Sequence, residues 1–264
     1  MPTLIEDLTG SDLERRARAI EAAATTDDEA VVATLERLML DPATGEQPRQ
    51  AVAESLGRTQ HPRAVAFLRE SLTAADETQR GLGAIGLAFV SRPEIAKALT
   101  ALLADKVNTV RNLAERSLLA MPEVVREHCV EDLLKLLEHP VPLTRSPAAR
   151  LLGLTRDRRA LLPLLHMLTG DRQWLARMWG AKGLGDLGAV EAFEPLARAL
   201  REDEKNRVRA AAAEAIGKLP HPQAEAVLEA ALSDEDGGVK KIAEEALAAL
   251  RRSQRGETCD ESSS

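Results

Sequence analysis

The sequence predicts an all-α fold, an α-solenoid or superhelix of about eight two-helix repeats, and three observations carry that expectation. Composition is the first. Hydrophobic residues make up 44% of the 264-residue chain, yet it holds only three Phe, two Trp and no Tyr. Its apolar content is mostly Ala and Leu, which head the helix-propensity scale, whereas strands favour β-branched and aromatic side chains. The second observation is an internal period of about 32 residues, a length typical of two-helix repeat arrays. The third is an apolar stripe that recurs at helical spacing within each period.

The period is clearest in the segment from Val208 to Gly217, which matches a segment one period earlier ending at Gly185 and another two periods earlier ending at Gly153. Extending that register gives a basic anchor at Arg16, Arg49, Arg80, Arg111, Arg145, Arg177, Arg209 and Lys240. A second match sets Gly57-Arg58-Thr59-Gln60-His61-Pro62 against Gly217-Lys218-Leu219-Pro220-His221-Pro222, five periods later. Each repeat reads as a helix that starts near the anchor and stops near the Gly. A second helix then opens at a Pro such as Pro62, Pro93, Pro195 or Pro222.

Within the anchor helix, 100° per residue sorts the positions into faces. The third position after the anchor is Ala19, Val52, Gly83, Ala114, Ala148, Gly180, Ala212 or Ala243. The seventh is Ala23, Leu56, Leu87, Leu118, Leu152, Leu184, Ile216 or Leu247. Small residues let neighbouring helices approach and Leu fills the space between layers, so these columns are the expected packing face. A single repeat cannot bury that stripe alone, and stability has to come from stacking. The repeats are expected to span residues 1–250, with residues 251–264 forming a polar, disordered tail.

An Asp stands six positions before several anchors, as Asp105 before Arg111, Asp171 before Arg177, Asp203 before Arg209 and Asp234 before Lys240. With the Val-Arg-x-x-Ala core and the Leu-Gly that follows, this pattern resembles HEAT repeats, most of all the short variety found in phycobilisome chromophore lyases. The resemblance covers residues 4 to 250 and implies a structural ladder of hydrogen bonds between the Asp and Arg columns of successive repeats. Ala43, Ala74 and His139 replace the Asp, so the ladder is expected to break there.

The resemblance also brings enzymes into view. HEAT-like deoxyhypusine hydroxylase binds iron through His-Glu pairs, and no such pair occurs in this sequence. His61, His139 and His221 precede prolines and read as turn residues, while His128 and His166 read as helix residues. HEAT-like DNA glycosylases use tryptophans and an Asp in a cleft, for which Trp174, Trp179, Asp171 and Asp186 are the candidates here. Tetrapyrrole (phycobilin) lyases share the repeat type. The string Gly81-Leu82-Gly83-Ala84-Ile85-Gly86 follows no strand, so it fails as a phosphate loop. Cys129 and Cys259 suggest neither a disulfide framework nor a zinc cluster. No catalytic residue, metal or cofactor is expected.

A net charge of -7 argues against coating nucleic acid by bulk charge, and scarce aromatics argue against single-strand stacking. The start lacks a basic segment and apolar run, and no apolar stretch is long enough to span a membrane, so a cytoplasmic protein is expected. Charge is uneven, however. Residues 141 to 182 carry a charge of +6, and the fifth position after the anchor runs Glu21, Glu54, Ile85, Arg116, Arg150, Lys182, Glu214, Glu245. The expected function is a non-catalytic scaffold or adaptor. Its inner face holds an acidic segment or helix of another protein through a basic saddle of Arg116, Arg150 and Lys182, with Met178 and Trp179 as adjoining apolar contacts.

Overall fold

The computed structural model describes residues 3–254, which form α-helices joined by short turns, with no strand among the described residues. The chain divides into two compact halves, Met1–Asp132 and Leu133–Ser264. The first holds α1 (Leu4–Thr9), α2 (Leu13–Ala22), α3 (Glu29–Leu40), α4 (Glu46–Thr59), α5 (Pro62–Ser71), α6 (Glu77–Leu87), α7 (Pro93–Leu102), α8 (Asn108–Leu119) and α9 (Pro122–His128). The division falls within α10 (Val130–Leu137). The second half continues with α11 (Pro142–Thr155), α12 (Leu161–Gly170), α13 (Trp174–Leu187), α14 (Phe193–Glu202), α15 (Asn206–Gly217), α16 (Ala224–Ala231) and α17 (Gly237–Gln254).

Each half is a two-layer stack, the arrangement of an α-solenoid. Anchor helices α2, α4, α6 and α8 lie side by side in the first half, as do α11, α13, α15 and α17 in the second. In the second layer α1, α3 and α5 pack in sequence in the first half, and α12, α14 and α16 in the second. Every member of the third- and seventh-position columns is buried. A fully buried Leu or Ile is worth about 1.5 to 3 kcal/mol, so the repeated stripe is the main source of cohesion.

The packed pair differs from the order expected from the sequence. An anchor helix packs on the helix that precedes it, α12 on α13, α14 on α15 and α16 on α17. The cause is the turn between them. Asp105, Asp171, Asp203 and Asp234 each accept a hydrogen bond from the backbone N–H two positions on, at 2.8 to 2.9 Å. This Asx-type turn folds the chain tightly just before the anchor helix.

The recurring glycine near the end of the anchor helix also has a different job from the one its position suggests. Gly57 and Gly153 lie inside α4 and α11, which continue to Thr59 and Thr155. A Cβ on Gly57 would meet the Gly86 carbonyl oxygen at 1.9 Å, and one on Gly153 would meet that of Gly183 at 2.6 Å. These glycines permit backbone-to-backbone approach of stacked helices. The helix stop comes almost a turn later, where Gln60, Arg156 and Gly188 take left-handed conformations.

Pro62 and Pro93 open α5 and α7, whereas Pro195 lies in the first turn of α14 and Pro222 just precedes α16. Helix α17 runs past residue 250 to Gln254, and Arg251 pairs with Glu225 at 2.7 Å. The rest of the expected tail, with Cys259, lies outside the described residues.

Candidate protein-binding surface

The anchor arginines point into the turns. In the second half Arg145 Nη2 donates to the Asp171 carboxylate at 3.0 Å, and Arg177 Nη1 donates to the Asp171 carbonyl at 3.0 Å. Arg177 then spans the Asp203 carboxylate at 2.7 and 3.0 Å, while Arg209 takes the Asp203 carbonyl at 3.0 Å and the Asp234 carboxylate at 2.9 Å. Asp171 and Asp203 thus each accept from two successive arginines, through the side chain from one and through the backbone from the next.

Hydrogen bonding to Asp234 raises Arg209 above the ordinary arginine range. Burial alone would raise Asp203, but its hydrogen bonds from Arg177 and from the Lys205 N–H outweigh this and hold it below the usual carboxylate range. Asp234 is lowered chiefly by its hydrogen bond from Arg209.

The first half has one such carboxylate rung among the described residues, from Arg80 to Asp105 at 2.7 and 3.0 Å. Arg111 donates to the Asp105 carbonyl and to Asn108, and its buried Nε has no hydrogen-bond partner. Arg16 and Arg49 reach the Gly10 and Met39 carbonyls. Ala43, Ala74 and His139, in the Asp column, bring no carboxylate.

The exposed side of the anchor layer carries the predicted partner residues. Arg116 is exposed on α8 in the first half, and Arg150, Met178, Trp179 and Lys182 are partly exposed on α11 and α13 in the second. The Trp179 ring has the Arg150 guanidinium at 6.0 Å and the Lys182 ammonium at 5.9 Å from its centroid. Cations at that range are held by the ring's quadrupole. The expected saddle does not present Lys182 as a bare charge. Lys182 Nζ lies 2.6 Å from Glu214, which also meets Lys218 at 2.9 Å, and Lys218 reaches Asp186 at 2.8 Å. Burial would raise Glu214, but the two lysines hold it below the usual range; burial would likewise lower Lys218, but its hydrogen bonds to Asp186 and Glu214 raise it.

Glu214 stands in the fifth-position column and Asp186 among the cleft candidates, but their pairing with Lys182 and Lys218 is not among the sequence expectations. The signal was present, because Glu214 follows Lys182 by one period in the same column. Stacked helices in register bring such residues together, so a sign change along a column predicts a pair rather than a patch boundary.

Family models of HEAT repeats match residues 1–88, 45–119, 130–217 and 193–257. The chain belongs to the HEAT-repeat family. No curated protein matches this HEAT-repeat sequence. Among solved structures it is similar to YibA of Escherichia coli, at 19% identity over 94% of this chain and 91% of that one, with a TM-score of 0.56. It is also similar to Kap95p, at 12% identity over 97% of this chain and 40% of that one, with a TM-score of 0.65. The complex of CpcE and CpcF of phycocyanin lyase from Nostoc sp. matches at 22% identity over 95% and 96% of the two chains, with a TM-score of 0.40. At these identities the likeness to YibA and to Kap95p is one of fold.

The geometry of the remaining HEAT-repeat residues bears on chemistry. Asp171 accepts from Arg145 and from the Gln173 N–H, and Asp186 from Lys218, so both carboxylates considered for a glycosylase-like cleft are engaged. Trp174 lies under the Arg207 guanidinium at 5.5 Å. His61, His139 and His221 accept backbone N–H bonds through Nδ1 in turns, and His221 also stacks on Phe193 at 3.6 Å. Cys129 is buried, which pushes its thiol up. The Gly81 to Gly86 string is a packing device, since a Cβ on Gly83 or Gly86 would meet the Leu68 carbonyl or the Ala53 carbonyl at 2.8 and 2.6 Å. Among the described residues no helix is long and apolar enough to cross a membrane.

Proposed function

We propose that this HEAT-repeat protein is a non-catalytic, cytoplasmic scaffold or adaptor, and that the exposed anchor-helix face of its second half holds an acidic segment of another protein. The observation that carries the reading is Trp179 flanked by the Arg150 guanidinium and the Lys182 ammonium, with Met178 beside it on α13. A rigid, partly exposed aromatic between two cations offers an apolar contact with charge on either side, the combination found at interface hot spots. An acidic segment can share Lys182 with Glu214 and approach Arg150 while an apolar side chain covers the indole. The likeness in fold to Kap95p, which binds RanGDP, supports a protein partner.

The test compares proteins captured from the native cell extract by wild type, by Arg150→Glu/Lys182→Glu and by Trp179→Ala, each shown to be folded by circular dichroism. Charge reversal against an acidic ligand should remove the partner, and loss of the ring should weaken it. An identical set of captured proteins in all three would end this reading. Arg116→Glu, in the first half, is made as a separate variant.

A further inference from the structure

We propose that the first half carries a second docking groove of opposite character, on the anchor-layer surface of α4, α6 and α8, and that its occupant is a Lys or Arg side chain of a basic segment of a partner protein. The groove encloses about 180 Å³. Its apolar wall is Gly81, Ile85 and Leu113, and its rim carries Glu46 and Glu77, the first residues of α4 and α6. That volume is of the order of one long side chain rather than a whole ligand.

Three features favour a basic occupant. Glu46 and Glu77 are exposed, and neither makes a hydrogen bond or an ion pair among the described residues; Glu77 acts on Arg80 only through its field. Glu54, farther along α4, differs in being paired with Arg58. Arg49 also lines the groove and keeps its charge while donating through Nε to the Met39 carbonyl at 2.6 Å, so two carboxylates against one guanidinium leave the lining net acidic. Finally, the wall is apolar where the stem of a Lys or Arg would lie. A Cβ on Gly81 would stand 2.9 Å from Leu113 Cδ1, so only glycine leaves this part open. Long cationic side chains bury their methylenes on such a surface and carry the charged head to its rim, where two carboxylates can accept charge-assisted hydrogen bonds.

The experiment titrates the full chain with fluorescein-labelled peptides, one alternating Arg and Ala, one alternating Glu and Ala, followed by fluorescence polarisation. The Arg peptide should bind and the Glu peptide should not compete for the groove. Glu46→Gln/Glu77→Gln should weaken the Arg peptide about tenfold or more, the loss expected on removing two charged acceptors. Gly81→Ala should weaken it by filling the wall, at little cost to folding because its near neighbour is the end of a flexible Leu. Trp179→Ala, which changes no charge, should leave the affinity unchanged, which separates this groove from the surface proposed above. Equal affinity of wild type and the double Gln variant, or no binding of the Arg peptide, would overturn the proposal. So would self-association of wild type that the double Gln variant abolishes, since the occupant would then be a second copy of this chain.

Discussion

The two halves of the molecule share one repeat and are tied together internally by different bonds. In the second half three successive rungs, Arg145 to Asp171, Arg177 to Asp203 and Arg209 to Asp234, link neighbouring turns through buried or nearly buried ion pairs. The first half has the Arg80 to Asp105 rung, joins α3 to α5 through the more exposed pairs of Arg63 with Glu29 and Glu36, and ties its anchor helices by neutral bonds. Ser55 Oγ donates to the Ile20 carbonyl and Ser117 Oγ to the Ala84 carbonyl, both at 2.8 Å. Each half has a close backbone approach of stacked helices, Gly57 to Gly86 in the first and Gly153 to Gly183 in the second. The difference teaches that the HEAT stack depends on apolar packing everywhere, and that the charged ladder is an addition which one half exploits and the other largely does without.

The comparison breaks most severely at the glycine contact. Gly57→Val should destabilise the first half by about 3 kcal/mol or more, because the added carbon overlaps backbone rather than a movable side chain. Both tryptophans, Trp174 and Trp179, belong to the second half. Tryptophan fluorescence therefore reports that half and circular dichroism reports both. Urea unfolding of this variant should show an early loss of helix with fluorescence retained.

Next in size is the ladder itself. Arg209→Ala leaves Asp234 buried without its partner and should cost about 3 kcal/mol in the fluorescence transition. Arg49→Ala loses a single bond to a carbonyl and should cost about 1 kcal/mol, read by circular dichroism. Equal losses would remove the distinction between the halves.

Acid offers a third handle. Asp105, Asp203 and Asp234 all have folded pKa values held below the usual range. For such groups the stability is fully present above the unfolded carboxylate value of about 3.9 and is lost as pH falls through the lower folded values. Two of the three lie in the second half. Lowering the pH from 5 to 3 should therefore shift the fluorescence midpoint in urea further than the first-half component of the circular dichroism.

The smallest effect is a gain. Ala74→Asp supplies the missing carboxylate at the same separation from Arg49 as Asp105 has from Arg80. It should stabilise the first half by about 1 kcal/mol. No gain would mean that Arg49, held on the Met39 carbonyl, cannot re-aim.

Much of the fold was legible because a stacked repeat writes each contact many times. The third- and seventh-position columns could be read as core from their residue types alone, and the Arg and Asp columns could be aligned by spacing. Reading failed where one residue type serves two purposes. Gly57 and Gly153 look like helix stops by position, and only the distance to the next backbone shows that they are contact points. The surface was less legible still. Arg150 and Lys182 stand out as charge, and the one-period spacing of Glu214 from Lys182 is visible too, but only helices stacked in register turn that spacing into a bond. Glu46 and Glu77 were invisible in the sequence because a carboxylate in the first turn of a helix is ordinary.

The central functional claim is tested most directly at Trp179. Trp174→Phe leaves Trp179 as the remaining tryptophan, and its emission can be followed while an acidic peptide of alternating Glu and Leu is added. A saturable change in emission is expected, one that weakens with added salt and disappears in Arg150→Glu/Lys182→Glu. An emission spectrum unmoved by the peptide, or a change that survives reversal of both cations, would contradict it.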